Sequence, residues 1–207
     1  MIETLPGLAL ERELWQRDIR LVAGVDEAGR GALAGPVMVG VVILPDRSDL
    51  EWSLGGVRDS KQMTPHQRTV WAAKIKEIAL AWSVGAAQAD EIDALGILPA
   101  TRLGVTRALQ SLPFQPDFLL MDYLPCPGLT VPHRMMPKGE SHSLSIACAS
   151  VLAKTERDSV MQLLDGQYPG YGLARHKGYG TALHRAAIRA LGYSPIHRRT
   201  FVFSEDR

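Results

Sequence analysis

Short runs of branched apolar residues alternate along this chain with stretches whose apolar positions recur every three or four residues, a pattern that mixes strand and helix periods. RLVAGV at 20–25 and VMVGVVIL at 37–44 flank a glycine-rich stretch and predict two neighbouring strands joined by a loop. Thr64, Pro65 and Gln67 then supply an N-cap, a proline at the first helical position and a capping-box glutamine. Val70, Trp71, Ile75, Ile78 and Ala79 follow at helical spacing. Positions 81–87 read as a third strand, and 90–112 as helix broken near 96–99. FLLM at 118–121, ending in Asp122 between prolines, reads as a short buried strand, and 133–136 as a further one. From Ser141 the spacing predicts a long amphipathic helix. It turns Leu144, Cys148, Val151, Leu152, Thr155, Val160 and Leu163 to the core and leaves Ser150, Lys154, Arg157 and Asp158 on the polar side. After a stretch rich in Gly, Pro and Tyr at 168–180, a last helix from about 181 stops at Gly192. Strands first and interleaved helices after indicate an α/β domain with a mixed sheet.

Composition narrows the class. A chain of 207 residues suits one domain, 1–207, with no repeat or credible interdomain linker, and 46% hydrophobic against 22% charged residues excludes disorder as the main state. No apolar run approaches the roughly 20 residues needed to cross a bilayer. The first residues carry neither a basic start nor a cleavage-like site, so a cytoplasmic protein with no membrane partner is expected. Cys126 and Cys148 are too few for a disulfide framework and lack zinc-site spacing, which predicts two inert thiols.

A net charge of +1 argues against coating nucleic acid by bulk attraction, but the charge is uneven. From Lys154 onward nine Lys and Arg face five Asp and Glu, a net +4, while the preceding residues, with 14 and 17, carry −3. A carboxylate-rich body with a basic C-terminal region, helical from about 165 to 207, suits cations in one part and phosphates in the other.

Four constellations carry candidate chemistry. Asp26 and Glu27 end the first apolar run, where a strand end can aim a carboxylate. The glycines that follow, Gly29, Gly31 and Gly35, open no helix, which disfavours a dinucleotide or Walker loop and favours close approach of backbone to a ligand. Asp122 closes the short buried strand, either as a strand terminator or as a further acid. Glu140, in Lys138-Gly139-Glu140, is either an acid favoured by a helix start or part of the same oxygen-rich set. Such a set suits Mg²⁺, a hard ion that takes oxygen ligands. The basic residues Lys61, Lys154, Arg157, Lys177, Arg198 and Arg199 interleave with Tyr168, Tyr171 and Tyr179, as grooves for a nucleic-acid backbone do.

GVDEAGRG at 24–31, DSK at 59–61, KGE at 138–140, SIACASVLAKTERD at 145–158, YPGYG at 168–172, HKGYGT at 176–181 and HRRTF at 197–201 follow one another in the order and at about the spacing found in ribonuclease HII. By these seven motifs the chain resembles that family, bacterial type 2 ribonuclease H, over roughly residues 15 to 203. The resemblance implies a ribonuclease H-like fold: a mixed five-stranded sheet flanked by helices, with a helical C-terminal extension. It implies an endoribonuclease that cleaves the RNA strand of RNA/DNA hybrids, and ribonucleotides embedded in duplex DNA, on the 5′ side, leaving 3′-hydroxyl and 5′-phosphate ends. Four acids with Mg²⁺ or Mn²⁺ are implied as the catalytic and metal-binding set: Asp26, Glu27 and Asp122 match three, and Glu140 stands where the family usually has Asp. Gly29, Arg30 and Gly31 match the loop that reads the ribose 2′-hydroxyl, and Tyr179 the ring that packs on the next deoxyribose. Lys61, Lys154 and Lys177 lie in motifs associated with backbone contacts. Tyr123-Leu124 replaces the usual Gly-Asn after Asp122.

The expected chemistry is two-metal hydrolysis by a monomer, Asp26 and Asp122 sharing the ions and Glu27 and Glu140 completing the shell. Two rivals belong to other classes. One is a relative that binds ribonucleotide junctions and cuts poorly. The other is a phosphate-ester hydrolase for small molecules, which leaves the basic C-terminal region unexplained.

Overall fold

Five strands, β1 (Val22–Ala28), β2 (Val37–Ile43), β3 (Ala81–Ala87), β4 (Phe118–Asp122) and β5 (His133–Met136), form one mixed sheet in the order β3-β2-β1-β4-β5 in a computed structural model that describes residues 5–201. β1, β2 and β3 run antiparallel to one another in turn, while β4 lies parallel to β1 and β5 parallel to β4. Among the described residues the α-helices are α1 (Ala9–Trp15), α2 (Leu50–Ser53), α3 (Pro65–Ile78), α4 (Ala89–Leu95), α5 (Ile97–Gln110), α6 (Leu144–Gln167), α7 (Leu173–His176) and α8 (Ala182–Leu191). The mixed five-stranded sheet with flanking helices and a helical C-terminal region is the fold expected from the sequence.

Local signals explain most of these bounds. Thr64 and Gln67 form the capping box that starts α3, and Thr181 and Ser143 cap α8 and α6 with their hydroxyls. Gly96, at φ 83°, breaks the 90–112 stretch into α4 and α5. The short helices α1, α2 and α7 have no counterpart in the sequence reading, being too brief to show a period.

Packing on the two faces of the sheet sets up the functional end. One apolar cluster joins Val22, Val42 and Leu120 to Ile146, Val151 and Leu152 of α6 and Ile75 of α3; a second joins Val25, Val41 and Met121 to Val105 and Leu109 of α5. The α6 main chain comes so close that a Cβ on Gly24 would run into Ser145 and Ile146, and one on Gly40 into Ala149. Backbone cannot yield as a side chain can, so both strands need glycine there. The contact seats the first half of α6 directly over β1 and β2.

The outer half of α6 departs from the expected pattern. Leu163 is 70% exposed and Thr155 and Val160 are half-buried, whereas Arg157, Asp158 and Ser150, assigned to the polar side, are buried. Neighbours far apart in sequence cause the reversal: Ser60 covers Ser150, Arg68 covers Asp158, and the β1–β2 loop with Lys177 takes up Arg157, while a further cluster of Leu33, Ala34, Met161, Tyr171, Leu173 and Ile188 packs beside them. Cys126 and Cys148 are free and buried, and burial pushes both thiols up, as inert thiols require. Among the described residues no helix is long and apolar enough to cross a membrane.

Candidate active site

The strands bring the four acids of the sequence analysis to one end of the sheet. Asp26 lies within β1 opposite Gly40, and Asp122 ends the parallel neighbour β4. Glu140 sits on a short 3₁₀ turn, Gly139–Ser141, after Lys138 in the left-handed conformation, and the Gly139 N–H donates to Asp122 Oδ1 at 3.2 Å. That bond ties the turn carrying Glu140 to the tip of β4.

Their electrostatics are those of carboxylates crowded out of water. Burial raises Asp26 well above the usual carboxylate range, and the negative Glu27 and Asp122 add to it; the Ser150 hydroxyl and the Glu27 N–H only partly offset this. Glu27 is also raised, by burial first, although Arg30 bonds its Oε1 at 3.0 Å. Lys61 is held above its ordinary value because the pull of Asp59, Glu140, Asp26 and Asp122 outweighs desolvation. Its ammonium lies in the field of all four acids, since it also helps to lower Glu27.

A cleft of about 440 Å³ opens beside the acids, lined by Glu27, Ala28, Gly29, Arg30, Gly31, Ser60, Lys61, Ser150, Lys154 and Tyr179. Four buried elements shape it. Arg157 donates to the carbonyls of Pro36, Ala34 and Lys177, and its guanidinium lies 5.3 Å from the Tyr179 ring. Arg198 donates to the carbonyls of Gly35 and Arg30. Gly29, at φ 94°, has no room for a Cβ because the Arg157 guanidinium fills that space, whereas a Cβ on Gly31 would meet nothing within 4 Å. Ser60 and Ser150 share a hydrogen bond of 2.9 Å on the cleft floor.

The cleft thus gathers Gly29, Arg30, Gly31, Lys61, Lys154 and Tyr179 from four separate segments. Lys177 faces a neighbouring depression instead, and Lys154 pairs with Asp158 at 2.5 Å.

A comparison with known protein families matches residues 23–203 to the model of ribonuclease HII. The chain belongs to the ribonuclease HII family. The ribonuclease HII of Thermus thermophilus is 52% identical over 192 residues, 93% of this chain and 91% of that one. That of Dehalococcoides mccartyi is 50% identical over 196 residues, 95% of this chain and 92% of that one. Among solved structures, the ribonuclease H2 of Pyrococcus horikoshii is similar with a TM-score of 0.72 and 27% identity, over 87% of this chain and 93% of that chain. Membership makes the protein a metal-dependent hydrolase of the ribonuclease H type.

The residues fit the divalent ion that ribonuclease HII membership implies. Glu140 is buried, and its Oε2 has no hydrogen-bond partner. The donors are all carboxylate oxygens, the hard ligands such an ion takes, and a cation would relieve the repulsion that raises Asp26. Among the described residues, no three His, Cys, Asp or Glu side chains are already gathered as a bound ion would gather them.

The replacements after Asp122 leave the cluster clear. Tyr123 is 60% exposed and Leu124 is buried in the α5-side core with Met121 and Cys126. Sequence reasoning gave Ser60 and Ser150 no role in the site, although both lie in motifs already singled out. It counted Arg157 and Arg198 among the groove cations, whereas both are buried and spend their guanidinium groups on main-chain carbonyls behind the cleft.

Proposed function

We propose that this protein is an endoribonuclease that cleaves the RNA strand of RNA/DNA hybrids and cuts duplex DNA on the 5′ side of an embedded ribonucleotide, using a pair of Mg²⁺ or Mn²⁺ ions. The observation that carries the reading is the open space at Gly31, on a cleft that starts at the acids and ends at the Tyr179 ring. Among the described residues nothing comes within 4 Å of a Cβ at position 31, so the space is left for a ligand. A ribose is the group whose 2′-hydroxyl can both donate to and accept from main-chain groups there.

Asp26, Glu27, Asp122 and Glu140 would hold the metal. Bound there, a divalent ion supplies Lewis-acid activation of water and neutralises charge building on the phosphate. Arg30 holds Glu27 until a ligand competes for it, and Lys61 places positive charge over the same acids, where a phosphate must arrive. Gly29 and Gly31 expose main chain to the ribose. The Tyr179 ring, 36% exposed and backed by Lys154 and Arg157, offers a flat face to the next sugar. Direct attack by a metal-activated water is the route a set of carboxylates serves.

One incubation tests the proposal: duplex DNA carrying a single ribonucleotide, with Mg²⁺ and separately with Mn²⁺, and products sized to one nucleotide. A single metal-dependent cut 5′ of the ribonucleotide is expected, with the all-DNA duplex left whole. A cut elsewhere, or equal cutting of both duplexes, overturns the assignment. The Glu27–Arg30 ion pair favours a second reading, a protein that binds ribonucleotide junctions and cuts poorly. Tight binding without a cut under either ion would select it.

A further inference from the structure

We propose that the depression between α3, α6 and α7, next to the cleft, seats a backbone phosphate of the bound nucleic acid some nucleotides away from the cut. The inference deepens the reading above and rests on it. The depression has a volume of about 290 Å³ and is lined by Arg68, Thr155, Asp158, Gln162, Arg175 and Lys177, among others.

Its charge balance is that of an anion site. Asp158 is the one acid in the lining, and it is already taken by Arg68 at 2.9 Å and by Lys154 at 2.5 Å. Neither Arg175 nor Lys177 has a side-chain hydrogen bond or ion pair among the described residues. Desolvation lowers the Lys177 ammonium below its ordinary value despite Asp158 and the more remote Asp165, so this cation lacks a close counter-ion. Thr155 Oγ1 is buried without any hydrogen-bond partner. Two uncommitted cations, an unpaired hydroxyl and the Gln162 amide are the donors with which proteins hold a phosphodiester.

The loop carrying Lys177 is held in place. Lys177 adopts the left-handed conformation, and its carbonyl accepts from Arg157 Nη1 at 2.9 Å. Arg157 is the same buried residue that backs Tyr179, so depression and cleft share one support.

Position argues for a nucleic-acid phosphate over a free one. Thr155 and Asp158 lie on α6 just beyond Lys154, and Lys177 precedes Tyr179 by one glycine, so cleft and depression are contiguous. From Ser150 beside Asp26 to Asp158, α6 rises about 12 Å. A strand of duplex carries a phosphate about every 3.4 Å of axis, so the depression stands about three or four phosphate steps from the acids.

Two arms test this, both with metal chelated so that nothing is cut, and with Arg175→Gln and Thr155→Val, which leave the acids and the cleft intact. In the first, affinity is measured for a ribonucleotide-containing duplex of roughly 20 base pairs and for one ending two base pairs either side of the ribonucleotide. Arg175→Gln should weaken the long duplex about 3- to 10-fold and lower its salt slope by about one, leaving the short duplex unaffected. Thr155→Val should weaken the long duplex by a smaller factor. In the second, inorganic phosphate alone is titrated and followed by NMR at Thr155 and Gln162; saturable shifts that Arg175→Gln removes support the site. Unchanged long-duplex affinity in Arg175→Gln overturns the proposal, and so does an equal loss on both duplexes, which marks general attraction. Phosphate binding with unchanged duplex affinity assigns the site to a free anion and overturns the nucleic-acid assignment. If the parent binds no ribonucleotide duplex yet saturates with phosphate, the proposed function fails and the anion chemistry of the site stands.

Discussion

Arg198 donates Nη1 to the carbonyl of Arg30 at 2.9 Å while its Nε and Nη2 hold the carbonyl of Gly35 at 3.0 and 2.9 Å. One buried guanidinium near the end of the chain thus clamps the loop between β1 and β2 at both its ends. No carboxylate is involved, so the clamp depends on the planar fork of the guanidinium and not on charge alone. Arg198→Lys keeps the charge and loses the fork. It should leave the protein folded, cost about 1–3 kcal/mol in a denaturant melt, and reduce cleavage of a single-ribonucleotide duplex by about 10-fold or more. A variant with normal turnover would show that the loop holds its shape without the clamp.

Gly29 and Gly31 should respond in opposite ways. Gly29 is filled from behind by Arg157 and has a left-handed φ, so any side chain there damages the fold. Gly31 has open space, so Gly31→Val should change the melting free energy by no more than about 0.5 kcal/mol. Its effect should fall on the substrate, as a raised KM for a single embedded ribonucleotide. A stable variant with parental KM and kcat would remove this glycine from ribose recognition.

The elements with a period or a cap were legible in the sequence, and so was the place of Asp122 at a strand end, because a carboxylate that closes an apolar run is conspicuous. What stayed hidden was burial imposed from far along the chain. Arg157 lies on what is, by spacing, the polar side of α6, and only the β1–β2 loop and the Lys177 turn, by covering it, make it a buried donor to three carbonyls. Arg198 was hidden for the same reason, since its partners Arg30 and Gly35 lie more than 160 positions away. The ion pair that turns Glu27 toward Arg30 was equally invisible, because no motif states which carboxylate an arginine three residues on will take.

Asp26→Asn should separate stability from activity. Burial and Glu27 raise the folded pKa of Asp26 well above the value of about 3.9 it has in an unfolded chain. Between those two values the unfolded chain loses its proton first, so ionisation counts against folding, and the penalty is complete above the folded pKa. Asparagine removes it. The variant should therefore melt at a higher temperature than the parent at neutral pH, with the difference closing as pH falls toward about 4. Cleavage should drop at least about 100-fold, since a metal ligand contributes several kcal/mol of charge stabilisation. The rise in melting temperature that Mg²⁺ gives the parent should shrink as well. A variant that melts below the parent at neutral pH would contradict the crowded-carboxylate account.

The histidines of the C-terminal region predict an acid-sensitive fold of opposite sign. His184 Nδ1 faces the Tyr179 carbonyl at 3.1 Å, and its Nε2 lies 3.1 Å from Nε2 of His197, whose Nδ1 accepts from the Ser194 N–H. These partners require both rings neutral, His197 donating to His184. Burial, with His176 adding, pushes His184 down to about 4. An unfolded histidine takes its proton near pH 6.5, so the stability this group contributes is whole above that pH, is lost between about 6.5 and 4, and then levels off. His184→Gln should flatten the fall in melting temperature over that window relative to the parent. An unchanged slope would assign the acid sensitivity to other groups.

Glu140 is expected to set the metal preference. Its turn is tied to Asp122 through the Gly139 N–H, and its buried Oε2 is unpartnered, so the carboxylate is placed for a ligand and not merely for a helix start. Glutamate carries the oxygens one carbon further than aspartate, about 1.5 Å of extra bond length with one more torsion to fix. Mg²⁺ demands a near-ideal octahedron and tolerates such a displacement poorly, whereas a larger, more adaptable ion accepts it. Activity should therefore favour Mn²⁺ over Mg²⁺, and Glu140→Asp should shift the balance toward Mg²⁺. Tyr123 and Leu124 should not block this shift, because one is exposed and the other is buried in the core. Melting temperatures with each ion give a readout independent of turnover: the aspartate variant should gain more from Mg²⁺ than the parent does. Glu140→Ala should lose most activity with either ion and most of the metal-induced rise in melting temperature. If it cuts as fast as the parent with both ions, three carboxylates suffice and Glu140 serves only its turn.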